Sequence, residues 1–180
     1  METKPEPEIN QMKKIRIEKV IASISVGASG EPLERAKQVL NQLTNQKVCT
    51  RKAKQTIKDF GIRKGEPIAC LVTLRNDRAS DFLKKALEAV ENKLKASSFD
   101  GFGNFSLGIK EHIEIPGTRY DPVLGIFGMD VNVTLERLGY RVKRRRIRGS
   151  QVGNKHLIAK DEAMDFIQEN FEAEITGRKQ

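Results

Sequence analysis

The sequence predicts an α+β fold: a single domain over residues 1–180, with a mostly antiparallel sheet of about five strands and helices packed on one face. Three observations predict it. Apolar and polar residues alternate at 20–26 and again at 129–136, the period of a strand covered on one side. Apolar residues recur every three or four positions at 33–43, 79–94 and 163–175, the period of a helix buried along one stripe. No internal repeat and no linker-like stretch divides the 180 residues.

In chain order, Val20, Ala22, Ile24 and Val26 alternate with Ile21, Ser23 and Ser25, giving a first strand with one apolar and one small, largely polar face. Ile15 and Ile17 fall on the other parity, and a bulge or break near Glu18 and Lys19 reconciles them. Behind Pro32, which suits a first helical turn, Leu33, Ala36, Val39, Leu40 and Leu43 mark a helix. Val48 to Ala53 reads as a short strand. The run IACLVTL at 68–74 is continuously apolar up to its Thr, as expected of a strand covered on both faces or nearly so. Ala79, Phe82, Leu83, Ala86, Leu87, Val90 and Leu94 form one helical stripe, with Asp81, Lys84, Lys85, Glu88 and Glu91 outside it. The Gly-, Asn- and Asp-rich stretch that follows reads as a loop, a short strand through Phe105, Leu107 and Ile109, and a turn at Pro116-Gly117. Met129, Val131, Val133 and Leu135 alternate with Asp130, Asn132, Thr134 and Glu136 in a strand wet on one face. Ala163, Ile167, Phe171 and Ile175 close the chain as an acidic amphipathic helix, with Asp161, Glu162 and Asp165 near its start, where the dipole favours them.

Composition narrows the class. With 38% hydrophobic and 32% charged residues the chain matches neither a disordered nor a membrane-spanning protein, and no apolar run reaches the roughly 18 residues a bilayer needs. The start, METKPEPEINQMKK, is acidic and Pro-containing; it resembles no signal or transit peptide, so a cytoplasmic protein with a flexible tail over 1–11 is expected. The net charge of +9 is segregated. Residues 51–65 carry +5 and residues 137–148 carry +7, leaving −3 on the other 153 residues. Segregated Lys and Arg beside small polar residues is the footprint of a nucleic-acid binder; neither run has the apolar face of a membrane-surface helix.

Catalysis finds no support. The glycines at 101, 103 and 108 lack the spacing of a nucleotide-binding loop and read as a tight turn. Glu111, His112 and Glu114 have no nucleophile or third ligand beside them, and in a strand Glu111 faces away from the other two. Cys49, Cys70, His112 and His156 make no metal-ligand pattern, and the two cysteines read as small buried residues. No cofactor, metal or catalytic residue is expected. For RNA the reading is richer. Phe60, between Lys58 and Arg63, either stacks on an unpaired base or pins its loop as an apolar anchor. Ser23, Ser25, Thr73 and Arg75 place hydroxyls and a guanidinium on two strands, a surface suited to ribose hydroxyls and phosphates. Six cations between 141 and 148 repel one another, so 137–156 is expected to be partly disordered without RNA.

Five segments in a fixed order carry a resemblance: EKVIASISVG at 18–27, TRKAKQTIKDFGIRKGEPIACLVTLR at 50–75, SSFDGFGNFSLGIKEH ending at His112, YDPVLGIFGMDV at 120–131 and DEAMDFIQENF at 161–171. Together they resemble the universal large-subunit ribosomal protein five family over residues 10–175, and the basic stretch from Arg141 resembles its archaeal and eukaryotic branch. The resemblance implies an antiparallel sheet that contacts 5S ribosomal RNA, helices behind it, no catalysis, and a place in the central protuberance of the large subunit of the cytoplasmic ribosome. By motif, Asn10, Lys13, Lys14, Ser23, Ser25, Thr73 and Arg75 fall to 5S RNA. Arg51, Lys52, Lys54, Lys58, Phe60, Arg63 and Lys64 fall to P-site tRNA. Arg141, Lys143, Arg144, Arg145, Arg146 and Arg148 fall to other large-subunit RNA. Segments 101–105 and 121–128 resemble parts that face the small-subunit head protein thirteen. The chain departs from the family at Ser23, where Asn is usual, at Asn10-Gln11-Met12 in place of Asn-Pro-Met, and at Ala159, where a capping Thr or Ser is expected. An RNA chaperone or regulator acting off the ribosome is the alternative.

Overall fold

A computed structural model describes residues 10–177; residues 1–9, most of the expected flexible tail, lie outside the described residues. The elements are β1 (Ile15–Ser25), α1 (Glu31–Thr44), β2 (Cys49–Lys52), β3 (Pro67–Leu74), α2 (Asp77–Ala89), β4 (Lys93–Lys95), β5 (Phe105–Ile109), β6 (Met129–Arg137), α3 (Arg141–Arg144), α4 (Lys160–Phe171) and β7 (Glu174–Thr176). Five strands form one antiparallel sheet in the order β2-β3-β1-β6-β5, and β4 and β7 make a separate parallel pair. The fold is α+β, as expected.

Strand parity decides which face is covered. Val20, Ala22 and Ile24 of β1, Cys70, Val72 and Leu74 of β3, and Val131, Val133 and Leu135 of β6 are all buried. They meet Leu33, Ala36, Val39 and Leu40 of α1 and Ala79, Phe82, Leu83, Ala86 and Leu87 of α2 in one apolar cluster. Each fully buried aliphatic or aromatic side chain there contributes about 1.5–3 kcal/mol. The register of β1 against β6 shifts between Ile17 and Lys19, so Glu18 is the extra residue of a bulge. That bulge returns Ile15 and Ile17 to the core side despite their parity, which is the reconciliation the sequence demands.

Three expectations are corrected. Residues 68–74 are not covered on both faces: Thr73 is exposed and Ala69 and Leu71 are half-buried, because among the described residues no helix lies on that side and Ser23 and Ser25 are their neighbours in β1. The second helix ends at Ala89, since Glu91 and Asn92 turn left-handed and the Asn92 N–H closes on the Leu87 carbonyl at 2.8 Å; Leu94 is buried in β4 instead. The last helix ends at Phe171, and Ile175 belongs to β7.

Candidate nucleic-acid interface

The face of the sheet opposite the helices follows from the registers. It carries Cys49 and Arg51 on β2, Ala69, Leu71 and Thr73 on β3, Lys19, Ile21, Ser23 and Ser25 on β1, Asp130, Asn132 and Thr134 on β6, and Ser106 and Gly108 on β5. Its middle mixes the short polar side chains of Ser23, Thr73 and Asn132 with half-buried Ile21 and Leu71 and one exposed acid, Asp130. Thr73, Ser25 and Arg75 are exposed, while Ser23 is half-buried with its hydroxyl donating to the Asp130 carbonyl at 3.3 Å. Asn10, Lys13 and Lys14 are exposed just before β1, where the Asn10 side chain accepts the Met12 N–H at 3.0 Å and caps a single turn of 3-10 helix.

The two cationic segments leave the sheet at opposite ends. Residues 53–66 join β2 to β3 at the Ser25 end of β1, whereas 138–148 follow β6 at the Ile15 end. The eleven-residue β1 separates them, a rise of about 35 Å. The first segment is a tongue. Ile57 bridges Ile62, the Gly65 N–H bonds the Ala53 carbonyl at 2.9 Å, and the Lys64 N–H bonds the Thr56 hydroxyl at 3.0 Å. Glu66 pins its base: it accepts the Ser29 hydroxyl and the Arg63 N–H, and those two bonds hold its carboxyl below the usual range. At the tip Phe60 is 73% exposed, so its ring is not a buried anchor of the loop. Arg51, Lys52, Lys54, Lys58, Arg63 and Lys64 are exposed, and none has an ion pair among the described residues.

The second segment is partly tied to the body. Arg137, only 6% exposed, donates to Glu162 at 2.8 Å and to the carbonyls of His156 and Leu157 at 3.4 Å. The Glu162 side chain is 46% exposed, so water screens this pair from the carboxylate side while the guanidinium stays buried. Glu162 also accepts the Ala159 N–H at 3.0 Å, the half of a capping box that does not need a hydroxyl at position 159. Burial raises its pKa, but the Ala159 N–H and the Arg137 guanidinium more than offset this, leaving the carboxyl below its usual range. Arg144 bonds both Glu18 and Glu136. Lys143 stands 5.2 Å from the Tyr140 ring centre, and Arg145 donates to the Arg148 carbonyl. Arg141, Arg145, Arg146 and Arg148 are exposed without an ion pair among the described residues.

The remaining candidates are scattered. Gly103 takes φ +78° in a loop whose amides at Phe102 and Asn104 bond the Asp100 carboxylate, at 2.9 and 2.7 Å. Phe102 on that loop is 64% exposed, at the opposite end of β5 from the 121–128 loop, where Val123 is 74% exposed. His112 and Glu114 lie in a turn of 3-10 helix rather than a strand. His112 is buried, its Nδ1 accepting the Phe127 N–H at 3.2 Å. Cys49 is exposed on the open face and not buried as expected, because β2 is an edge strand; Cys70 is buried on the other face. Sequence reasoning passed over Arg16, Glu18, Lys19 and Glu136, which gather at the Ile15 end of the open face. The phase change at Glu18 was the available signal for them.

Residues 10–63 match the family described as ribosomal protein L5, and residues 67–166 match the ribosomal L5P family C-terminus. The large ribosomal subunit protein uL5 of Sulfurisphaera tokodaii is 52% identical over 168 residues, covering 93% of this chain and 95% of that protein. Its counterpart in Pyrobaculum aerophilum is 55% identical over 157 residues, covering 87% and 88%. That of Methanosphaera stadtmanae is 46% identical over 167 residues, covering 93% and 99%. Matched in both halves and along nearly the whole length of these relatives, the chain belongs to the archaeal branch of the ribosomal protein L5 family, a structural, RNA-binding and non-enzymatic constituent of the large ribosomal subunit in the cytoplasm.

Proposed function

We propose that the chain binds 5S ribosomal RNA on its open sheet face, with Asn10, Lys13, Lys14, Ser23, Ser25, Thr73 and Arg75 as the contacts, and so anchors that RNA in the central protuberance. The carrying observation is that, among the described residues, no helix covers this face, which exposes Ser25, Thr73 and Arg75, while helices occupy the other. The tongue and the end of β2 before it, with six cations that have no ion pair among the described residues and an outward Phe60, reach P-site tRNA; the tongue lies too far from the Ile15 end to serve one compact RNA element together with residues 141–148. Arg141, Lys143, Arg144, Arg145, Arg146 and Arg148 meet other large-subunit RNA. The exposed side chains at 101–105 and 121–128 serve the small-subunit head protein thirteen.

The test is a division of labour. Arg75→Ala should weaken 5S RNA binding by about 1.5–3 kcal/mol, the worth of a charge-assisted contact. The pair Lys54→Ala and Lys58→Ala should leave 5S binding nearly unchanged and weaken tRNA contact on the ribosome. If the tongue variant loses 5S RNA as strongly as Arg75→Ala, the assignment is wrong. Co-sedimentation with large subunits in moderate salt separates this reading from an RNA chaperone working off the ribosome.

A further inference from the structure

Two carboxylates lie nearly buried at the cationic end of the open face. The side chain of Glu18 is 8% exposed and that of Glu136 6%. Strict alternation would turn Glu18 toward the helices; as the extra residue of the bulge it reaches the open side, where Arg144 and Arg75 meet it. Four cations converge on the two acids. Arg16 donates to Glu136 Oε1 through Nε at 2.9 Å and Nη2 at 2.6 Å. Lys19 and Arg75 stand 3.7 and 3.9 Å from Glu18 Oε1. Arg144 spans both, Nη1 donating to Glu18 and Nη2 to Glu136. The cluster has a surplus of two positive charges, and the side chains of Arg16, Arg75 and Arg144 keep 57%, 54% and 39% exposure. Each guanidinium is therefore gripped from inside and open outward.

On a surface that meets phosphates, an acidic pair weakens binding unless it does something else. Here it supplies the counter-charge that residues 141–148 lack, since that segment has six cations and no acid of its own. We propose that Glu18 and Glu136 are positioning residues for RNA: they clamp Arg144, hold 141–148 against the end of the sheet before RNA arrives, and present Arg16, Arg75 and Arg144 as one preformed site for backbone phosphate. The RNA half of this rests on the reading above with one change: Arg144, clamped beside Arg75, joins it on 5S RNA instead of meeting other large-subunit RNA. Ordering the guanidiniums in advance removes part of the entropy cost of binding, and a rigid planar fork holds two carboxylates at a fixed spacing that a compact ammonium does not impose. The partial disorder expected of 137–156 then belongs to stretches beyond the clamp.

Two measurements on the full chain test it. Amide hydrogen exchange without RNA follows Arg145 and Ser150, whose N–H groups bond the carbonyls of Arg141 at 3.0 Å and Val142 at 3.2 Å. Arg144→Lys keeps the charge but loses the fixed fork that reaches both acids, so exchange at both amides should rise roughly tenfold; unchanged exchange overturns the clamp. Glu136→Gln raises the net charge by one. Simple attraction predicts tighter binding of a 5S ribosomal RNA transcript, whereas the clamp predicts binding about fivefold weaker with the melting profile of a folded protein. Tighter binding overturns the proposal. Should Glu136→Gln fail to fold, Arg144→Lys, a change at a partly exposed side chain, carries the affinity test as well, and undiminished affinity there counts against it. A wild-type chain that does not bind 5S RNA removes the RNA reading, while the exchange measurement still decides the clamp.

Discussion

Placing one negative charge on either side of the same strand separates the two faces of the molecule. Thr73 is exposed on the open side of β3, paired with Ile21, and Gln42 is exposed on α1, which packs on the other side of β3. Thr73→Glu and Gln42→Glu change the net charge equally. A carboxylate about 6 Å from a phosphate is repelled by about 0.7 kcal/mol in bulk water and about 2.8 kcal/mol at an effective dielectric constant near 20. A backbone lying on the open face brings one or two phosphates that close, so Thr73→Glu should cost about 1–3 kcal/mol, roughly 5- to 150-fold in affinity. Gln42 sits a packed layer away, about 10 Å further, and the screening length is about 8–10 Å at physiological salt. The same charge there should change binding by less than about 0.3 kcal/mol. Fluorescence anisotropy with labelled 5S RNA measures both, with thermal melts confirming that the exposed substitutions leave the fold intact. Equal losses, or a larger loss from Gln42→Glu, would refute the assignment of the RNA face.

Gly103→Ala places a Cβ at φ +78°, 2.6 Å from Ile158 Cγ2 and 2.9 Å from its Cβ. Strain and overpacking together should cost about 2–4 kcal/mol, a melting temperature lower by about 5–15 °C; a drop of less than about 2 °C would mean that the loop yields freely. Burial holds the His112 ring below its usual value of 6.5, so the unfolded chain binds a proton that the folded chain refuses. Stability is therefore full above that value and declines as pH falls from it toward the folded pKa, and His112→Gln should flatten this part of the melting profile. A wild-type profile that is already flat there contradicts the assignment. Burial pushes the Cys70 thiol up to about 11 while Cys49 is exposed, so an alkylating reagent should modify Cys49 in the native protein and Cys70 only on unfolding. Equal rates at the two thiols would contradict the faces assigned to β2 and β3.

Much of the fold was legible because long elements carry their period. Val20, Ala22 and Ile24, Met129 to Leu135, and Ala79 to Leu87 declared both their type and their buried side, and even the bulge at Glu18 showed as a change of phase. The pair of β4 and β7 was not legible: three residues are too few to set a period, so Leu94 and Ile175 were absorbed into the neighbouring helices. Leu71 and Ala69 misled because an apolar residue on an open face looks in sequence like one covered on both sides. Of the candidate site, the excess of Lys and Arg was legible, but which cations are free was not. Arg144 meets Glu18 from 126 positions away and Arg137 meets Glu162 across 25, pairings that only the tertiary fold creates.

The most direct measurement is the affinity for 5S RNA across a salt series. If exposed cations around the open face replace counterions on phosphates, the logarithm of affinity falls linearly with the logarithm of salt concentration. Arg75→Ala should then make the slope shallower by about one, while Lys84→Ala on the helix side leaves it unchanged. A slope near zero, or one that responds equally to Lys84→Ala, would contradict the account.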